Sequence, residues 1–148
     1  MTNGLSGGGV HITPKNIKVY NSLSNLLRDH TDRIDDAYHY ANEAVRWEPQ
    51  WENAHNTKGN ALMKLNRVSE AKLEFEEAIR LNPKFPVAYS NLGDTLEKLK
   101  DYKRAEANYR KCLGMDPEHI LTKFRLAGLV IQKMKSPPTE LLLEAEQL

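Results

Sequence analysis

The chain has 148 residues and carries 21 basic and 20 acidic side chains, which leaves a formal net charge of +1. This balance excludes the strongly basic surface of nucleic-acid-binding domains, so we expect no nucleic-acid partner. No apolar run approaches the roughly 18 to 20 residues of a membrane-spanning helix, and no secretory leader is visible, which predicts a cytoplasmic protein without direct membrane insertion.

The first part of the chain predicts a tail followed by a pair of helices. The first thirteen residues contain too few apolar side chains to fold, which predicts a flexible tail over 1–13. Thr13-Pro14 then marks a helix start, because proline fits the first turn of a helix. Apolar side chains recur at helical spacing up to Pro49, which cannot continue a helix.

The next two segments repeat one pattern of residues at an offset of thirty-four positions. Each copy has a glycine and a leucine in a first helix, two small residues and an aromatic residue in a second helix, and a closing proline. The copies are Gly59, Leu62, Ala71, Phe75, Ala78 and Pro83, and Gly93, Leu96, Ala105, Tyr109, Cys112 and Pro117. Repetition at this period indicates stacked helical hairpins, which need their neighbours to bury their apolar side chains.

The two repeated glycines need a packing reason, because a glycine inside a helix costs about 1 kcal/mol relative to alanine. We expect Gly59 and Gly93 to let their helices approach the second helix of the same hairpin. The expected contacts are the small residues Ala71, Ala78 and Ala105.

Short polar segments separate the two helices of each hairpin. They predict tight turns, in which Ser69 or Asp101 caps the helix that follows. Cys112 is the single cysteine and occupies a small-residue position of the repeat, so we expect a packed thiol without a disulfide.

The repeated residues resemble the tetratricopeptide repeat, a family whose signature spaces glycine, alanine, aromatic and proline positions along one helix–turn–helix unit. The third unit follows the signature at Tyr89, Leu92, Gly93, Leu96, Ala105, Tyr109, Cys112 and Pro117. His55 stands where the signature has an aromatic residue, and Ser24 stands where it has glycine. The resemblance implies an all-α fold of the tetratricopeptide type, an alpha-alpha superhelix formed as a right-handed solenoid of antiparallel helix pairs.

The resemblance also divides the chain into units. It implies a tetratricopeptide array over 14–135 and a C-terminal capping helix over 136–148. Within the array, the units cover residues 17–51, 52–85 and 86–119, and the first helix of a fourth unit covers 120–135.

Proteins of this family line a concave groove with the first helix of each unit. The resemblance implies that the peptide-binding groove contains Asn21, Asn25, Asn53, Asn56, Asn60, Lys64, Ser90, Asn91, Asp94, Lys98 and Arg125, and it turns Lys18, Ser22, Arg28, Thr57, Met63, Val87 and Glu97 to the same side. Because an asparagine amide both donates and accepts hydrogen bonds, a row of them can bind the backbone of an extended peptide. The alternative is that these asparagines are ordinary polar residues on a solvated helix face.

A second interpretation is the carboxylate clamp with which some family members hold the acidic C-terminus of chaperones. Asn60, Asn91 and Arg125 match three of its five positions, whereas Asn56 and Leu121 replace its two lysines. Without those lysines much of the charge-assisted grip on a terminal carboxylate is absent. A co-chaperone module is therefore kept as an alternative function.

The fourth unit differs from the others, because its groove side is apolar. Leu121, Phe124, Gly128 and Ile131 would face a partner helix, a second copy of the chain, or the final helix folded over them.

A narrower resemblance covers the start of the array. The segment Asn16–Ala37 and the run from Lys58 to Asn66 are similar to repeats of the transmembrane, tetratricopeptide-containing O-mannosyltransferases. This resemblance implies a substrate-binding fragment in the lumen of the endoplasmic reticulum, with the catalytic membrane domain absent. The chain has no Asn-x-Ser/Thr acceptor, which gives no support to a luminal address.

An enzymatic function has no supporting residue pattern. The five histidines lack metal-ligand spacing, and the lone cysteine has no companion. We therefore predict a non-catalytic scaffold, without metal or cofactor, that binds a peptide or protein segment in its groove.

Overall fold

The computed structural model describes residues 16–135, which form seven helices. They are α1 (Ile17–His30), α2 (Ile34–Trp47), α3 (Glu52–Lys64), α4 (Val68–Leu81), α5 (Pro86–Lys98), α6 (Tyr102–Met115) and α7 (Ile120–Lys135). The helices pack as the pairs α1–α2, α3–α4 and α5–α6, and each pair contacts the next. The predicted all-α solenoid of helix pairs is confirmed, whereas the predicted tail over 1–13 and the capping helix over 136–148 lie outside the described residues.

The repeated glycines lie directly under aromatic rings of the second helix. A Cβ atom added at Gly59 would lie 2.6 Å from Cε1 of Phe75, and one added at Gly93 would lie 2.5 Å from Cε1 of Tyr109. Both rings are fully buried. The predicted close approach of the helices is confirmed, because only a residue without a side chain leaves room for these rings.

The expected partners of the glycines were wrong. Ala71, Ala78 and Ala105 are fully buried, but the three atoms nearest to each added Cβ belong to a ring. A flat ring fills the narrow space over a glycine better than a methyl group does, so the alanines pack beside the ring instead.

The first helix pair closes without a glycine. Ser24 is fully buried, and its hydroxyl donates a hydrogen bond of 2.6 Å to the Ala37 carbonyl oxygen of α2. This bond satisfies the hydroxyl at the seam between the helices. Ser24 therefore lies at the contact between the two helices, where the other two pairs have glycine.

The turns within the second and third pairs have the same backbone geometry. Asn66 and Lys100 adopt positive φ angles of 60° and 64°. The next backbone N–H groups, of Arg67 and Asp101, each donate back to a leucine carbonyl oxygen at 2.9 Å. This bond spans five residues, as it does where a left-handed residue ends a helix.

The capping prediction was right at Asp101 and wrong at Ser69. The Asp101 side chain accepts a hydrogen bond of 3.2 Å from the Arg104 backbone N–H. Helix α4 begins at Val68, so Ser69 already lies inside its first turn and cannot cap it. Arg67 precedes that helix and pairs with Glu70 through two hydrogen bonds.

Helix α6 and the helix that follows it, α7, differ in burial. Cys112 is fully buried, as expected, with its Sγ atom 3.3 Å from Oγ1 of Thr122. Beyond it, α7 buries only Thr122 and Leu129 among the described residues. The apolar side predicted for the fourth unit is exposed, since Phe124 is 73% and Ile131 is 52% accessible.

His55 occupies the aromatic position of its repeat and is buried. Its Nε2 atom lies 2.8 Å from the Pro49 carbonyl oxygen, and thirty-four residues later the Tyr89 hydroxyl donates to the Pro83 carbonyl oxygen at 3.0 Å. The Nδ1 atom of His55 lies 2.7 Å from Oε2 of Glu74. A carbonyl and a carboxylate only accept, so both ring nitrogens carry protons in this arrangement.

We predict that the stability of the chain decreases above neutral pH because of His55. Burial alone lowers the pKa of His55, but hydrogen bonds to Glu74 and Pro49 raise it above its ordinary 6.5. A raised folded pKa gives stability that is complete below pH 6.5 and is lost as the pH rises through the folded value. Urea unfolding from about pH 6 to about pH 9 measures this loss.

The matched variant is His55→Tyr, which keeps an aromatic donor for the Pro49 carbonyl oxygen but does not titrate in this range. It should lose less stability than the natural chain over the same pH interval. Identical pH dependence of the two proteins would rule out His55 as the cause.

Candidate functional site

One groove lies along the face that the odd-numbered helices form. Helix α1 contacts α3, α3 contacts α5, and Arg125 of α7 donates to the Ser90 carbonyl oxygen of α5 at 3.3 Å. The groove has a volume of about 450 Å³. Its lining residues are Arg28, Asn60, Met63, Lys64, Phe75, Val87, Asn91, Asp94, Lys98, Leu121 and Arg125.

The groove brings together about half of the residues that the sequence placed in it. Those lining it are Asn60, Lys64, Asn91, Asp94, Lys98 and Arg125. Those outside its lining are Asn21, Asn25, Asn53, Asn56 and Ser90. Three of these five are buried, namely Asn21, Asn56 and Ser90, so they have almost no surface for a ligand.

The buried polar residues connect successive repeats. The Asn91 amide nitrogen donates to Oδ1 of Asn56 at 3.0 Å, which joins α5 to α3. The Ser90 hydroxyl oxygen accepts hydrogen bonds from Thr122 at 2.6 Å and from Arg125 at 3.0 Å, which joins α5 to α7. These side chains satisfy one another at the seams between units.

Asn25 and Asn53 are the two predicted residues that are neither buried nor part of the groove lining. Asn25 accepts a hydrogen bond of 2.7 Å from Arg28, one turn later in the same helix. Asn53 is exposed near the start of α3 and outside the lining. Asn21 is buried, and its Oδ1 atom makes no hydrogen bond within the part of the chain that the structure describes.

Two arginines of the groove are neutralised by neighbouring carboxylates. Arg28 binds both carboxylate oxygens of Asp29, at 2.7 and 2.8 Å, and this hydrogen bonding lowers the pKa of Asp29. Arg125 lies 3.6 Å from Oδ2 of Asp94. Their positive charge is therefore offset inside the groove, and their donors are held in fixed directions.

The lysines and Asn60 contrast with these arginines. Lys64, Lys98 and Asn60 have no hydrogen-bond or ion-pair partner among residues 16–135. Their polar groups are consequently available to a ligand that enters the groove.

Phe75 is the lining residue that the sequence analysis missed, because its spacing predicts only a core position. Its ring is fully buried beneath Gly59 and lies under the floor of the groove, without accessible surface of its own. The glycine is the signal that could have identified it, since a helix without a side chain there leaves room for the ring beneath the groove. Met63 lies nearby and accepts a hydrogen bond from Thr95 through its sulfur at 3.4 Å.

The described range contains neither a metal-binding cluster nor a helix that could span a membrane. Between residues 16 and 135, no three His, Cys, Asp or Glu side chains converge to form a metal site. No helix of that range has the length and apolar character needed to cross a bilayer.

Two family models match the middle of the chain. The model for the TPR repeat matches residues 59–100, and the model for the tetratricopeptide repeat matches residues 86–119. Tetratricopeptide repeats therefore occupy this region, as the glycine, aromatic and proline spacing predicted.

Solved tetratricopeptide domains share the fold of the chain. The Sgt2 TPR domain from Aspergillus fumigatus is 20% identical, with a TM-score of 0.76, and the match covers 85% of this chain and 87% of that chain. The first TPR of Spaghetti (RPAP3), solved bound to HSP90 peptide SRMEEVD, is 20% identical, with a TM-score of 0.75 and coverage of 86% and 100%.

A curated human protein, Protein O-mannosyl-transferase TMTC3, is similar over a short region. The two sequences are 31% identical over 61 residues, which is 41% of this chain and 7% of that protein. The chain thus spans a small fraction of its relative. The predicted resemblance to the tetratricopeptide-containing O-mannosyltransferases is supported as a partial match.

Proposed function

We propose that this tetratricopeptide-repeat chain is a non-catalytic scaffold that binds a peptide or protein segment in the groove between its odd-numbered helices. The observation that carries the proposal is the Asn60 amide, which lines the groove and has no partner among the described residues. The RPAP3 domain, which has the same fold, was solved with a peptide bound, and this likeness supports the same kind of ligand here.

The proposed contact follows from the chemistry of an extended peptide. Such a segment has backbone N–H and C=O groups without intramolecular partners. The Asn60 side chain can donate to a backbone C=O group and accept from a backbone N–H group. Met63, Val87 and Leu121 line the same groove and offer apolar contact to a ligand side chain. Hydrogen bonds to the peptide backbone do not depend on the peptide sequence. Contacts between the other lining residues and the peptide side chains select among peptides.

The carboxylate clamp receives less support than this general groove. Asn60 precedes Asn91 by thirty-one residues and not by thirty-four, so the two do not occupy equivalent positions of their repeats. Asn56, which was aligned with one missing lysine, is buried and already accepts from Asn91. Leu121, at the other lysine position, has no polar group. Arg125 directs its Nη1 atom at Ser90, where it donates to both the carbonyl and hydroxyl oxygens. Few free donors therefore remain for a terminal carboxylate.

The partial match to TMTC3 favours a second candidate, in which the chain is a substrate-binding piece of an O-mannosyltransferase of the endoplasmic reticulum. The same groove would then hold a segment of the substrate. The groove itself is compatible with a cytoplasmic and with a luminal location. Determining the compartment in which the protein is found would therefore distinguish the two candidates.

We predict that Asn60→Ala weakens peptide binding without reducing stability. The probe is a phage-displayed library of random linear peptides, from which binders of the natural chain are selected. Losing one net hydrogen bond of about 1 kcal/mol should weaken the selected peptides about fivefold. Fluorescence anisotropy with synthetic copies of these peptides measures the change.

The matched control is Asn108→Ala on α6, where the asparagine bonds only to the Arg104 carbonyl oxygen of its own helix. This variant should bind the same peptides as tightly as the natural chain. The groove proposal fails if both variants bind equally, or if only Asn108→Ala loses affinity.

A further inference from the structure

Two groove lysines occupy equivalent positions of successive repeats. Lys64 is the last residue of α3, and Lys98 is the last residue of α5. Both line the groove, and neither has a hydrogen-bond or ion-pair partner among residues 16–135. Arg28 and Arg125 are paired with Asp29 and Asp94, so these lysines are the lining cations that form no ion pair within residues 16–135, and Lys64 has only a longer-range electrostatic interaction with Asp29.

The placement of the two lysines on adjacent repeats suits an extended ligand. Helices α3 and α5 are joined by the Asn91–Asn56 hydrogen bond, so the two lysines stand on adjacent repeats and not at one point. A polyproline II segment has three residues per turn and rises about 3.1 Å per residue, so side chains i and i+3 share one side about 9 Å apart. Its backbone groups are all free to bond with Asn60.

We infer that the groove selects an acidic segment within a partner protein, in which two Asp or Glu side chains three positions apart bind Lys64 and Lys98. This inference rests on the proposed function of the groove. The two carboxylates of such a segment match two separate cations, one on each repeat. Asp94 is the only acidic residue of the lining, and both it and the nearby Asp29 are paired with arginines, which limits the negative charge that opposes the ligand.

A free chain terminus is not required by this arrangement. A terminal carboxylate is held by several donors that converge on one point. Here the available cations stand on different helices, and the Nη1 atom of Arg125 is already bound to Ser90. The ligand therefore uses its side-chain carboxylates, and amidation of its C-terminus leaves the affinity unchanged.

The test uses a labelled synthetic peptide, Gly-Glu-Pro-Ala-Glu-Gly, with an acetylated N-terminus and an amidated C-terminus. Fluorescence anisotropy with the whole 148-residue chain at low salt measures its affinity. The peptide with both glutamates changed to glutamine should bind about tenfold more weakly, because two exposed ion pairs are lost. Added salt should weaken the glutamate peptide more than the glutamine peptide.

Protein variants assign the effect to the two lysines. Lys64→Gln/Lys98→Gln should lose the preference for glutamate over glutamine. The control is Lys84→Gln/Lys103→Gln, which removes two exposed lysines outside the groove lining and should keep the preference. Circular-dichroism melting shows that each variant is folded before its affinity is compared.

Several results would overturn the inference. Equal affinity for the glutamate and glutamine peptides would do so, as would an unchanged preference in folded Lys64→Gln/Lys98→Gln. A peptide that binds only with a free C-terminal carboxylate would assign the site to chain termini instead. If the glutamate peptide fails while library-selected peptides still depend on Asn60, the acidic ligand is wrong and the groove proposal stands. If no selected peptide depends on Asn60, both fail.

Discussion

Gly93→Leu is expected to lower the free energy of unfolding by about 3 kcal/mol or more. A Cβ atom at this position would lie 2.5 Å from Cε1 of Tyr109, and the leucine side chain extends further into the ring. The ring cannot withdraw, because it is fully buried and its hydroxyl donates to Glu97 at 2.8 Å. Urea unfolding followed by circular dichroism measures the loss.

Gly128→Ala is the matched control for this prediction. Gly128 lies within α7, and an added Cβ would meet no atom within 4 Å. Alanine favours a helix over glycine by about 1 kcal/mol, so this variant should be as stable as the natural chain or more stable. If the urea-unfolding midpoint of Gly93→Leu equals that of the natural chain, the third hairpin does not close through this contact.

Phe75→Ala is the second substitution with a large expected effect, a loss of about 3–5 kcal/mol. Phe75 is fully buried in the cluster that joins the second and third hairpins, where Leu92 and Leu96 also lie. Removing the ring leaves a cavity beside Gly59, which has no side chain to fill it. Thermal and urea unfolding report the change.

Leu73→Ala on the same helix tests whether burial causes that loss. Leu73 is 65% exposed, and surface substitutions usually change stability by no more than about 0.5 kcal/mol. The two variants should therefore differ by several kcal/mol. If Phe75→Ala and Leu73→Ala lose similar amounts of stability, burial of the Phe75 ring is not the cause of the loss.

The fold was predictable because each repeat carries residues whose backbone or size restricts their place. Gly59 and Gly93 mark the seam between helices, and Pro83 cannot continue a helix. His55 was also recognisable from its register, and it bonds to Pro49 as Tyr89 bonds to Pro83. Such residues report local geometry, which repeats with the sequence.

The groove was only partly predictable, because polar side chains on one side of a helix have different neighbours. Asn60 and Asn56 are one helical turn apart, yet Asn60 lines the groove and Asn56 is buried against Asn91. Ser90 is buried because α7 supplies Thr122 and Arg125 as hydrogen-bond partners. Helical periodicity indicates which face a residue occupies, but it does not show which side chain of the next repeat covers it.

The central claim is that the chain binds a peptide segment in the groove between its odd-numbered helices. It is tested most directly by two-dimensional ¹⁵N–¹H NMR during titration with a library-selected peptide. We predict that the largest shifts occur in the groove-facing residues of α3 and α5, including the side-chain amide of Asn60. Saturation of binding with the Asn60 signal unchanged, and with the largest shifts on α4 and α6, would contradict the account.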